Sequence, residues 1–88
     1  MKKMVSVTEV SGEGFEALLG ERVMLLCLNY IYSGVLEGVA ANCVVLAEPS
    51  IVYETGEWSA KQYSDVQRLP CEKLYVQRGA IESFGIGK

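Results

Sequence analysis

The sequence predicts a mainly β domain, in which one short N-terminal helix precedes about five strongly bent strands that form a small, partly open barrel. Three observations lead to this class. Apolar runs of strand length recur at 22–28, 41–47, 74–77 and 80–84. Gly34 and Gly38 stand inside a further strand-like run, which is the usual device for bending a sheet or admitting another backbone closely. Helical spacing occurs in one segment, 13–19, where Phe15, Leu18 and Leu19 fall at i, i+3 and i+4.

Taken in order, residues 1–12 read as an N-terminal extension that ends in the polar punctuation Ser11-Gly12. A helix is expected over 13–19, with Gly20 placed to end it. Residues 22–28 are almost wholly apolar, as in a strand covered on both faces. Asn29-Tyr30 reads as a tight turn, although Tyr30-Ile31-Tyr32 also has strand character, and 32–39 is the strand that carries the two glycines. A third strand starts near Ala41-Asn42 and runs to Ala47. Pro49 is expected to loosen or end it, with 51–53 extending beyond the irregularity. Residues 54–57 read as a turn, 58–63 as the start of a strand, and 64–71 as the most loop-like stretch of the chain. Two last strands, 74–77 and 80–84, flank the corner Arg78-Gly79. There Gly79 is expected to supply a backbone conformation closed to other residues.

With 88 residues and no repeat, linker or low-complexity tract, the chain reads as a single domain over 1–88. A domain of this size buries only roughly 60–65% of the surface its unfolded chain exposes. Yet half of the residues are hydrophobic and the mean hydropathy is +0.20. Such a chain is too apolar to be disordered, and it is apt to hide surface in an oligomer. The net charge of −3 and the lack of any basic run argue against strong non-specific binding to duplex DNA. Residues 1–8 look like the start of a signal peptide, but Glu9, Glu13 and Glu16 interrupt it. No stretch approaches the roughly 20 apolar residues needed to span a bilayer. A cytoplasmic location and no membrane partner are therefore expected.

The three cysteines, Cys27, Cys43 and Cys71, lack metal-ligand spacing. They read as small buried hydrophobes in a reducing compartment, with a disulfide or a reactive thiol as the alternative. Enzyme chemistry, cofactors and a metal site find no support. The chain has no histidine, and hence no ready general base near neutral pH and no imidazole ligand. No serine or cysteine has an evident base partner, and no phosphate-cradling glycine loop precedes a helix.

The pattern Leu18-Leu19-Gly20-Glu21-Arg22-Val23, then Tyr32-Ser33-Gly34-Val35-Leu36-Glu37-Gly38, then Asn42-Cys43-Val44-Val45-Leu46, resembles the first motif of the Sm/Lsm family. Tyr75-Val76-Gln77-Arg78-Gly79-Ala80-Ile81 resembles its second. The resemblance covers roughly residues 13–84, in the right order. It implies an SH3-type open barrel of five strands over 21–84, capped by the helix. It also implies a cyclic homo-oligomer of five to seven subunits, in which the fourth strand of one subunit pairs with the fifth of the next. The last two strands are apolar edges with little charge to deter such pairing, and a repeated head-to-tail contact closes into a ring.

The resemblance further implies that single-stranded, uridine- or adenosine-rich RNA binds at the pore rim through Asn42, Arg78 and Gly79. Asn42 would read a base edge, and Arg78 would stack on a base or support Asn42. The chain departs from the family where that site has an Asp and a stacking residue, for Ala40 and Ala41 stand there. Residues 53–73 also form a longer connection than the family needs. In it Glu57, Trp58, Lys61, Tyr63 and Arg68 offer a replacement surface, although the aromatics there serve equally as packing or interface anchors. Each site residue has a second reading: Arg78 as a brace within the ring, Asn42 as a support of its loop, Gly79 as a turn requirement. Two functions follow from these alternatives. One is an RNA-binding ring in RNA metabolism or regulation; the other is a structural or protein-interaction ring that has lost RNA.

Overall fold

Six antiparallel strands form one sheet and hold 56% of the residues that the computed structural model describes, which are residues 14–88. The extension 1–12 and the first residue of the expected helix lie outside them. The strands are β1 (Arg22–Cys27), β2 (Ile31–Val39), β3 (Cys43–Glu54), β4 (Asp65–Arg68), β5 (Lys73–Gln77) and β6 (Ile81–Ile86). Their order is β4-β3-β2-β1-β6, with β5 also paired to β3. The mainly β class agrees with the sequence reading, but the strand number differs by one.

β3 organises the sheet. Its first half pairs with β5, from Cys43↔Gln77 to Ala47↔Lys73, and its second half with β4, from Ser50↔Arg68 to Glu54↔Asp65. Between the halves the chain bends at Glu48, whose φ is +50°, and at the buried Pro49. The register with β2 runs Ser33↔Ser50 and then Val35↔Ala47, so Glu48 and Pro49 together oppose Gly34 alone. This is a bulge. A β-carbon on Gly34 would lie 2.9 Å from the Ala47 carbonyl oxygen and 3.2 Å from Leu46 Cβ, so glycine is required there. Gly38 beside the Glu37 bulge has only ordinary contacts with the Val45 side chain. The bend expected from the two glycines is therefore present, and Gly34 carries it.

Pro49 loosens the third strand without ending it, and 51–53 extend it beyond the irregularity. The proline occupies the bulge, where no ladder N–H is needed, and its carbonyl accepts the Leu69 N–H at 2.9 Å. The stretch read as most loop-like contains β4, an edge strand whose four residues are all exposed. It buries no face and so shows no burial alternation. Residues 58–63 form turns and bends, with no strand start among them.

No α-helix is seen among the described residues. Where one was expected over 13–19, Phe15–Leu18 forms a single 3-10 turn. Gly14 (φ +80°) and Gly20 (φ +86°) bracket it in left-handed conformations, and Leu19 is already extended at ψ 129°. Too few residues remain for an α-helical turn to propagate. Phe15 and Leu18 still pack on the core formed by Val23, Leu25, Leu36, Val44, Leu46 and Val76.

β5 and β6 follow one another through a 3-10 turn, Arg78–Ala80, and do not pair with each other. The sheet is therefore not closed. Among the described residues β5 pairs with β3 alone and β6 with β1 alone, so each has an edge unpaired by them.

Candidate functional site

The two halves of the sequence pattern meet where the β2–β3 loop touches the Arg78–Ala80 turn. The Cys43↔Gln77 pairing places these two corners side by side. The Arg78 backbone N–H donates to the Asn42 carbonyl at 2.9 Å. The Arg78 guanidinium donates through Nη1 to the Ala40 carbonyl, also at 2.9 Å, across 38 positions of sequence. The loop is tightened by the Ala40 N–H donating to the Cys43 carbonyl at 2.8 Å.

Arg78 is oriented from a second side. Its guanidinium carbon lies 5.1 Å from the centroid of the Phe15 ring, within cation–π range. Phe15 in turn stacks on Phe84 of β6, with centroids 3.8 Å apart and planes at 15°. A carbonyl and a ring thus hold a side chain that is still exposed. The guanidinium has five donors, and no acceptor other than Ala40 meets it among the described residues. Asn42, whose backbone carbonyl meets the Arg78 N–H, is exposed, and its amide makes no hydrogen bond among the described residues. Ala40 and Ala41 are exposed methyl groups with no ring to offer a base.

Gly79 corrects an expectation. It lies in the middle of the 3-10 turn, outside the left-handed region, and a β-carbon there would meet nothing within 4 Å. Any residue fits its backbone, so the turn itself does not require glycine.

Beside this corner a groove of about 310 Å³ opens between the β1–β2 turn and β5, lined among others by Cys27, Leu28, Tyr30, Tyr32, Tyr75 and Val76. Leu28 and Tyr75 are 77% and 66% exposed, well beyond what a folded core needs. Burial pushes the Cys27 thiol up. It also pushes the Tyr32 phenol up, helped by the neighbouring Cys27 and Tyr30. All three cysteines are free, Cys27 and Cys43 half-buried and Cys71 exposed. The expectation of small buried hydrophobes therefore fails at Cys71, which sits between β4 and β5.

The residues proposed as a replacement surface separate. Trp58 and Tyr63 converge on Lys88, while Glu57, Lys61 and Arg68 have exposed side chains. No hydrogen bond, ion pair or cation–ring contact among the described residues joins that group to Asn42 or Arg78. The sequence reading missed Phe15 and Phe84 as partners of Arg78. Phe15 has the spacing of a helix face and Phe84 that of a strand, and nothing local links them. Comparison with protein-family models, with curated proteins and with solved structures returns no match.

Proposed function

We propose that the protein is a non-catalytic, ring-forming, Sm-like subunit that binds single-stranded, uridine- or adenosine-rich RNA at the inner rim of the ring. One observation carries the proposal: Arg78 reaches across to the Ala40–Asn42 corner, where its side chain and Asn42 are both exposed and its remaining guanidinium donors meet no acceptor among the described residues. Such a pair suits a base edge and its phosphate. The open Gly79 adds to the reading, since a small residue that the turn does not need is suited to close approach by something outside the chain. Ring formation is supported by the edges of β5 and β6 left unpaired among the described residues, strands on which Tyr75 and Ile86 are exposed.

The second reading, a structural or protein-interaction ring without RNA, is favoured by the hold that Ala40 and Phe15 already have on Arg78. Base stacking is worth about 1–3 kcal/mol per base, and Ala41 offers no ring for it. Each subunit therefore binds one base weakly, and useful affinity comes from many subunits acting on one strand.

Filter binding of short homopolymer RNAs at two salt concentrations tests the reading. Saturable binding near physiological salt is expected, strongest for U or A, with Arg78→Ala weakening it by about tenfold or more. Without saturable binding the RNA reading falls and the structural ring stands. Unchanged affinity in Arg78→Ala overturns the placement of the site.

A further inference from the structure

The long β3–β4 connection and the chain beyond β6 close around a single ammonium group. Lys88 Nζ lies 5.8 Å from the Trp58 ring centroid and 5.1 Å from that of Tyr63. It donates to the Glu57 carbonyl at 2.8 Å, while its backbone N–H donates to the Tyr63 hydroxyl at 3.3 Å. The preceding residue is pinned: Gly87 N–H donates to the Arg22 carbonyl at 2.9 Å. A β-carbon on Gly87 would sit 3.0 Å from the backbone of Val23 and Met24. Lys88 is therefore delivered to the rings by a fixed backbone. Of the two rings, Tyr63 is buried, whereas Trp58 is 63% exposed and leaves one wall of the site facing solvent.

Two aromatic faces and a carbonyl acceptor give an ammonium three attractive contacts at an exposed site. Packing alone does not explain an indole left this exposed. The surrounding segment 54–68 is slightly acidic, with Glu54, Glu57 and Asp65 set against Lys61 and Arg68.

We propose that Trp58, Tyr63 and the Glu57 carbonyl form a receptor for the primary ammonium of a lysine side chain on a partner protein, with Lys88 as its built-in competitor. The carbonyl selects the class. It requires an N–H donor, which a primary ammonium has and a quaternary ammonium lacks. Lys88 keeps the site filled in the isolated chain, because a tethered group acts at high effective concentration. A partner lysine gains the site when the partner's other contacts raise its own effective concentration above that of Lys88. This inference is independent of RNA binding at Arg78.

n-Butylammonium serves as the probe, followed by ligand-observed saturation-transfer NMR at constant ionic strength. The proteins are the wild type, Lys88→Ala and Lys88→Ala/Trp58→Leu, with circular dichroism confirming that each is folded. Saturable binding to Lys88→Ala is expected, at least about tenfold tighter than to the wild type, and lost in the double variant. Tetramethylammonium should bind Lys88→Ala several-fold more weakly than n-butylammonium. Three results would overturn the receptor: no saturable binding to Lys88→Ala, equal affinity in the wild type, or binding that survives the Trp58 substitution. Tighter binding of tetramethylammonium would overturn the assignment to lysine.

Discussion

Gly34 and Gly79 both stand at corners of the sheet, yet their surroundings differ in kind. The position of a β-carbon on Gly34 is 2.9 Å from the Ala47 carbonyl oxygen, part of a backbone that has no room to move. Gly34→Ala should therefore cost about 1–3 kcal/mol, read as a lowered thermal midpoint. At Gly79 the same change meets open space, and a shift within about 0.5 kcal/mol is expected. A fall in RNA affinity or assembly at unchanged stability would then show that the glycine serves something outside the chain. The cysteines make a second test. Burial raises the Cys27 thiol, whereas Cys71 is exposed, so a thiol reagent at mildly alkaline pH should modify Cys71 first. Because the folded state holds the Cys27 proton more tightly than the unfolded chain, the stability tied to it is complete below the ordinary thiol pKa. It is lost as pH rises through the raised one, and the lag in labelling should narrow over the same range.

At the scale of elements, the kink of β3 shows what a sequence can and cannot disclose. Gly34 marked the bend, since only close approach or curvature explains a glycine inside an apolar strand. Pro49 left two readings open, a loosened strand or an ended one, because its effect depends on the bulge shared with Glu48, which is created by pairing with β2. β4 was illegible for a related reason: an edge strand exposed at all four residues carries no burial alternation. The helix expected at 13–19 had correct spacing but too little length between two left-handed glycines. The Asn42–Arg78 pairing was legible through the resemblance, whereas the Phe15–Phe84 stack and the Lys88 clasp arise only when distant segments meet. Glu48 tests the kink directly. A left-handed conformation costs a non-glycine residue roughly 1–2 kcal/mol, and Asn bears it best. Glu48→Asn should thus stabilise the protein by about 0.5–1 kcal/mol, since the Arg22–Glu48 contact it removes is long, at 3.9 Å, and exposed. An unchanged or lowered denaturation midpoint would show that the φ of Glu48 is not strained.

The described residues as a whole form an open sheet with unpaired ends. β5 and β6 carry Tyr75 and Ile86 toward solvent and have no pairing partner on their outer edges among the described residues. An isolated chain built this way invites edge pairing, and joining two different edges repeatedly yields a closed ring. Tyr75→Lys places a charge on one of those edges, so it should leave the monomer folded, within about 0.5 kcal/mol, and block assembly. A variant that assembles normally would show that the β5 edge is not the contact. Ring closure underlies everything proposed for Asn42 and Arg78, because single sites without a stacking ring hold RNA only when several act on one strand. Sedimentation equilibrium of the wild-type chain at micromolar concentration tests it most directly. The expected result is a single species of between five and seven copies of the 9.7 kDa chain. A stable monomer of 9.7 kDa, or a dimer that grows no further, would contradict the ring and with it the shared RNA-binding rim.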